Sequence, residues 1–98
     1  MRVTGWSNGS GAYGLRIGPT NRAKFFDPSW TSINIEIEAQ WYEIPISGGF
    51  WRHCPEIRAP IIRDWLRQHL ALEWPQRRPP VAKLTPLVDS RFRLELPS

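Results

Sequence analysis

The sequence predicts an α+β domain in which an antiparallel sheet of about five strands carries one main helix on one face, in the order β-β-β-α-β-β. Two observations predict this class. Several short segments alternate apolar and polar residues with a period of two, which is typical of strands with one buried face. Residues 60–72 instead keep an apolar stripe at helical spacing. Such faces are buried against each other, which favours a sheet covered by a helix.

The chain is expected to begin with an irregular lead-in over residues 1–12. Its Ser7-Asn8-Gly9-Ser10-Gly11 run is typical of a turn, because these residues favour positive φ and side-chain bonds to the backbone. Residues 12–17 alternate and are predicted as the first strand, ending at Gly18-Pro19. Asn21 is then expected to cap a short helical turn over residues 22–26.

The clearest strand pair follows at residues 33–38 and 40–47. Isoleucines alternate with polar residues in the first of these segments, so one face should be buried and the other wet. The reversal is expected around residues 38–40. Since Pro45 cannot donate to a hydrogen-bond ladder, the second segment is predicted to lie at an edge of the sheet or to leave that donor position facing solvent.

The main helix is predicted over residues 60–72, after Gly48-Gly49 breaks the sheet and a short turn occupies residues 55–59. Pro60 suits the first helical turn, where a missing N–H costs nothing. The apolar stripe of this helix contains Ile61, Ile62, Trp65, Leu66, His69 and Leu70. Trp65 lies at its centre and is expected to fill the core.

Residues 74–80 are predicted to be an extended linker inside the domain. Three prolines and two arginines in this short stretch disfavour helix and strand and favour polyproline II. Two closing strands are predicted after it, at residues 81–87 and 91–96, with a turn at residues 88–90.

Length and composition indicate one domain over residues 1–98 and a cytoplasmic location. The chain has a single cysteine, Cys54, so it cannot form an intrachain disulfide, and a lone thiol suits a reducing compartment. No stretch approaches the roughly 18 apolar residues of a membrane span. The net charge is +4, and residues 47–80 carry six arginines against three acids. This balance favours anionic partners.

Few residues could support catalysis or metal binding. One cysteine and two histidines do not provide the ligands of a structural zinc site, and no phosphate-binding glycine motif is present. The sequence therefore predicts a non-enzymatic protein with no catalytic residue, no metal and no cofactor. A remote alternative is a cysteine-dependent enzyme in which Cys54 is activated by His53 or His69.

The composition of residues 51–78 predicts a binding module that contacts nucleic acid through an arginine and tryptophan surface. The residues expected to contact phosphate are Arg52, Arg63, Arg67, Arg77 and Arg78, and the stacking or anchoring residues are Trp51 and Trp74. The same residue types are enriched at protein–protein hot spots, so a protein-interaction or oligomerisation module, including a homodimer, is the alternative. A third interpretation is a solvated face on which arginine stems cover tryptophan rings.

The six tryptophans are expected to divide by environment. Trp65 should be buried, Trp30 and Trp41 half-buried at the ends of the sheet, and Trp6 packed between the lead-in and the body. The exposure of Trp51 and Trp74 then decides whether aromatic rings are available for binding.

One set of residues spans most of the chain: Tyr13-Gly14-Leu15-Arg16-Ile17, Arg22, Phe25-Phe26, Trp30, Phe50-Trp51, Cys54 and Trp65-Leu66. In these residues the chain resembles small uncharacterised bacterial proteins of similar length, and the resemblance implies no function.

Residues 14–46 show a second pattern: a strand ending at Arg16-Ile17, a helical turn, and an alternating hairpin. This outline resembles swapped-hairpin DNA-binding modules of the antitoxin and transition-state-regulator type. That family commonly has proline directly after the isoleucine and Gly-Asp before its hairpin, whereas here Gly18 intervenes and Asp27-Pro28-Ser29 takes the second place. The resemblance implies that Arg16, Arg22 and Lys24 face DNA and that the protein dimerises.

Overall fold

The computed structural model describes residues 1–53, 55–75 and 77–97, and these residues form seven strands and three helices. The strands are β1 (Arg2–Ser7), β2 (Tyr13–Arg16), β3 (Ser32–Ile37), β4 (Gln40–Pro45), β5 (Glu56–Arg58), β6 (Val81–Pro86) and β7 (Arg91–Glu95). The helices are α1 (Pro19–Phe25), α2 (Gly48–Arg52) and α3 (Pro60–His69). The mixed α and β content is as predicted, whereas the predicted count of five strands and one main helix is wrong.

All strands belong to one curved sheet with the order β4-β3-β7-β6-β1-β2-β5. The two ends of this order, β4 and β5, approach each other, so the sheet nearly closes into a barrel. The prediction of a purely antiparallel sheet is wrong, because β3 and β7 run parallel. Alternation along a strand shows which face is buried and carries no information about the direction of its neighbour.

The core lies on the concave face of the sheet. The isoleucines of β3 are at most 4% exposed, as their alternation predicted. Helix α3 adds Ile62, Trp65 and Leu66 to the same cluster, and Trp65 is 4% exposed, which confirms its predicted place. Strands β6 and β7 contribute further buried residues to this cluster: Ala82, Leu84, Phe92 and Leu94.

The irregular lead-in expected at residues 1–12 is wrong for its first half, which forms β1 between β6 and β2. Val3 is 1% exposed, and the Met1 ammonium donates to the Leu84 carbonyl at 2.8 Å. Partial burial of the Met1 ammonium lowers its pKa, and the nearby Lys83 charge lowers this pKa further. The next inward position of β1 is Gly5. Because glycine has no side chain, the alternation of apolar and polar residues is not visible in the sequence of this strand. A Cβ at Gly5 would lie 2.9 Å from Pro80 Cγ.

The turn expected at residues 55–59 is also wrong, because β5 occupies its centre and pairs with β2. The sequence did not predict this strand because one of its buried positions is occupied by a charged residue, Glu56, which is only 7% exposed. The main helix starts at Pro60 as predicted and ends at His69, three residues early, where the Leu70 N–H donates to the Leu66 carbonyl.

The predicted hairpin and its edge strand are confirmed, whereas α1 departs from its prediction in its start and its cap. β3 and β4 form a hairpin in which Glu38 (φ 52) and Ala39 (φ 66) turn through the left-handed region, and β4 lies at an edge. Helix α1 begins at Pro19, three residues before the predicted turn. Asn21 does not cap it; its side-chain amide donates to the carbonyls of Ile17 and Arg2.

Residues 74, 75 and 77–80 belong to no helix or strand, and Gln76 of the predicted linker lies outside the described residues. None of the helices in the described ranges is long and apolar enough to cross a membrane.

Candidate functional site

Arg58 is held on the outer face of the sheet by an aromatic ring and a carboxylate. The strand register places Trp6, Gly14 and Arg58 side by side on β1, β2 and β5. Because Gly14 has no side chain, the Arg58 guanidinium reaches across it and lies 4.3 Å from the centre of the Trp6 ring. Its Nη2 also donates to Glu56 Oε1 at 3.3 Å. The guanidinium is therefore oriented while its side chain stays 54% exposed.

A groove of about 400 Å³ opens beside Arg58, where β2 starts, β5 ends and α3 begins. We call it the arginine–aromatic groove, and its lining residues are Gly11, Ala12, Tyr13, Arg58, Ala59, Pro60 and Arg63. Within the described part of the chain its charged lining residues are both arginines. An anion that enters the groove therefore meets two guanidinium groups and no carboxylate on its walls.

Arg63 reaches the groove from the first turns of α3. Its guanidinium carbon lies 5.8 Å from the centre of the Tyr13 ring. Its Nε is buried and has no acceptor among the described residues. A buried donor without a partner costs free energy, so the Nε–H of Arg63 would gain from an acceptor. The second predicted phosphate contact on α3, Arg67, is exposed one helical turn further along.

Trp74 packs against Tyr13, which lines the groove. It is half-buried, and its ring meets the Tyr13 ring edge-on with 6.2 Å between centroids. This contact brings the predicted linker to the groove, and Arg77 and Arg78 follow it as exposed residues. The structure therefore brings Arg63 and Trp74 to one place around Tyr13, with Arg67 on the same helix.

Trp51 and Arg52 lie on α2, away from the groove. Trp51 is half-buried, packs edge-on against Phe50 at 5.3 Å, and is covered by the Arg22 guanidinium at 5.7 Å. Arg52 is exposed, and its guanidinium lies over Gly48. No described contact joins these residues to Arg63 or Trp74, so the predicted surface over residues 51–78 is divided into two parts.

The remaining tryptophans differ in exposure. Trp6 and Trp30 are half-buried, and Trp30 packs edge-on against Phe26 and Phe92. Trp41 is 49% exposed on the outer face of β4, so about half of it is covered, as expected, and it is the most exposed of the six tryptophans. Its outward direction follows from the register, which places it opposite Glu36 on the wet face of β3.

The three basic residues implicated by the DNA-binding resemblance have different surroundings. Arg16 is exposed on β2. Arg22 donates from Nη1 to the Phe50 carbonyl at 2.8 Å, which ties α1 to α2. Lys24 is exposed and lies 5.4 Å from the centre of the Phe25 ring.

The cysteine alternative rests on Cys54, which lies outside the described residues. Of its two candidate bases, His53 is exposed beside α2, and His69 contacts the Glu38 carboxylate.

Tyr13, Trp6 and Arg58 were not among the predicted site residues. Arg58 stood out in the sequence only as one of several arginines near the helix. Its contact with Trp6 depends on the pairing of β1 with β2 and β2 with β5, and neither β1 nor β5 was predicted. A glycine between two alternating positions, as at Gly14, was the available signal, because it marks a close approach across a sheet.

Comparisons of the chain with protein-family models, with curated proteins and with solved structures found no match.

Proposed function

We propose that this protein binds single-stranded nucleic acid in the arginine–aromatic groove. Arg58 and Arg63 contact phosphate oxygens, and the Tyr13 ring and the guanidinium planes offer surfaces for an unpaired base. The positive charge continues beyond the groove at Arg67, Arg77 and Arg78, along the path that we propose for the nucleic-acid strand. A base in a duplex is already stacked on its neighbours, which favours a single strand as the partner.

The observation that carries this proposal is the composition of the groove. Two arginines and an aromatic ring line one opening, and no acid lines it within the described ranges. Arg58 is already oriented by Trp6, so little conformational entropy is sacrificed when it contacts a phosphate.

Removing Arg63 should weaken binding and flatten its salt dependence. Arg63→Ala is expected to lower the affinity for a fluorescein-labelled single-stranded 20-mer about fivefold, as an exposed charge pair is worth up to about 1 kcal/mol. The slope of log K against log salt should become shallower by about 0.7, because the variant neutralises one phosphate fewer. Fluorescence anisotropy titrations over a series of salt concentrations measure both quantities.

The matched control for this experiment is Lys83→Ala, which removes one positive charge from the exposed face of β6. It should leave the salt slope close to that of the unaltered protein. The proposal is contradicted if the unaltered protein does not bind the oligonucleotide, or if both variants change its binding equally.

A protein partner is the second candidate, and Trp41 is the observation that favours it. This residue lies on the edge strand β4, and among the described residues the other large apolar residues with high exposure are Val88 and Leu96. Exposed tryptophans and unpaired strand edges are typical of protein contacts. Such an interface would change little with salt, whereas binding of the oligonucleotide should weaken steeply, so measuring each association over the same salt series separates the two candidates.

A further inference from the structure

A second opening lies at the seam where the two end strands of the sheet approach each other. It has a volume of about 560 Å³. We call it the Glu56 cavity, and its lining residues are Pro45, Ile46, Ser47, Gly49, Phe50, His53, Glu56 and Arg58. These come from the end of β4, from α2 with its flanking residues, and from β5. The cavity is distinct from the arginine–aromatic groove, although Arg58 lies in the wall of both.

Glu56 is the unusual residue of this cavity. Its side chain is only 3% exposed. Oε1 accepts one hydrogen bond from Arg58 at 3.3 Å, and the buried Oε2 has no partner among the described residues. A buried carboxylate needs several donors to offset the loss of its hydration, and one long bond does not supply them. The arrangement is expected when another donor completes the site.

The neighbouring guanidinium restricts what that donor can belong to. A ligand with a single positive charge would be attracted by Glu56 and repelled by Arg58. A simple anion would be attracted by Arg58 and repelled by Glu56. A ligand with both charges gains from both residues. Its ammonium group can donate to Glu56, and its carboxylate can accept from the N–H groups of Arg58 that do not face Glu56.

The rest of the wall is suited to a compact ligand with an apolar part. Pro45 and Ile46 supply accessible apolar surface, and the buried Phe50 closes the wall behind them. Ser47 and His53 lie on the same wall and can contribute polar contacts as they rotate at the mouth. Ligand sites of this kind combine a mainly apolar lining with a few polar groups that fix orientation.

We propose that the Glu56 cavity binds a free α-amino acid with an aliphatic side chain. The ammonium group lies beside Oε2 of Glu56, the carboxylate faces Arg58, and the aliphatic side chain packs against Pro45 and Ile46. This assignment is argued from Glu56 and does not rest on the nucleic-acid proposal, although both ligands would contact Arg58.

Three matched ligands test this assignment on the unaltered protein. L-leucine carries both charges, L-leucinamide lacks the carboxylate, and N-acetyl-L-leucine lacks the ammonium. We expect L-leucine to bind in isothermal titration calorimetry, and each derivative to bind at least about tenfold more weakly, because each lacks one charge-assisted contact and leaves a protein charge unmatched. The proposal would be overturned if all three ligands bound with equal affinity, or if L-leucine did not bind with a Kd of about 1 mM or tighter.

A variant locates the site. Glu56→Gln keeps the shape of the side chain and removes its charge, so it should abolish the preference for L-leucine over N-acetyl-L-leucine. Glu43→Gln, at an exposed position of β4, is the matched control and should keep that preference. If Glu56→Gln retains it as well, the cavity is not the site. If Glu56→Gln does not fold, the comparison of the three ligands decides by itself.

The two proposals fail separately. Arg63 lines the groove and does not line the Glu56 cavity. Arg63→Ala should therefore weaken binding of the oligonucleotide while L-leucine binds as before. Loss of L-leucine binding in this variant would contradict the assignment of the amino acid to the Glu56 cavity, which Arg63 does not line.

Discussion

Gly14→Ala is expected to destabilise this protein by about 3 kcal/mol or more, near the upper end of the effects of overpacking. A Cβ at this position would lie 2.0 Å from the Ile57 carbonyl oxygen and 3.0 Å from the Arg58 Cα. Both are backbone atoms of β5 and cannot rotate away. The strain can be relieved only when β5 moves off β2, which exposes Ile57, a residue that is 2% exposed in the folded protein.

Urea unfolding followed by tryptophan fluorescence measures this destabilisation. The matched control is Gly48→Ala, where the nearest atom to the new Cβ is the mobile Arg52 Nη2 at 3.0 Å. That variant should stay within about 0.5 kcal/mol of the unaltered protein, as is usual for changes at exposed positions. A Gly14→Ala variant as stable as the Gly48→Ala variant would show that β5 does not pair with β2 as described.

Trp65→Ala should cost about 3–5 kcal/mol, the usual range for removing a large aromatic side chain from a core. The residue is 4% exposed and belongs to the central cluster beneath the sheet. Its removal leaves a cavity that the curved sheet cannot fill without moving several strands. Since small domains have only about 5–15 kcal/mol of stability in total, we expect a marked fall in the folded population at 37 °C.

Trp41→Ala is the comparison for this experiment, because it removes the same side chain from a position that is 49% exposed. Its cost should stay below about 1 kcal/mol. Circular dichroism is the suitable signal, since both variants alter the fluorescence. Similar destabilisation of the two variants would contradict the assignment of Trp65 to the core and Trp41 to the surface.

Elements that show their buried face in the sequence were predicted in the right place. The isoleucines of β3 and the apolar stripe of α3 each produce a period that follows from local backbone geometry. The two strands that were missed depart from this period at inward or buried positions. β1 has Gly5 there, and β5 has Glu56, so neither strand has the alternation that would reveal it.

The candidate sites follow the same division. The excess of arginine and tryptophan was visible in the sequence, and Arg63 and Trp74 proved to lie around one aromatic ring. The contact of Arg58 with Trp6 joins residues that are far apart in the chain through two strand pairings. The Glu56 cavity likewise depends on the approach of β4 to β5 across the nearly closed sheet.

The sequence by itself determined which side chains are apolar, where the hairpin turns, where the main helix begins and how charge is distributed, because these depend on neighbours along the chain. Only the tertiary structure decided the strand order, the parallel pair of β3 with β7, and which aromatic rings remain open to solvent. Those features arise from pairings between distant segments. Many alternative pairings would bury a similar apolar area and would therefore gain a similar free energy from the hydrophobic effect. The register of β1, β2 and β5 selects one of them and thereby brings Arg58, Trp6 and Glu56 together.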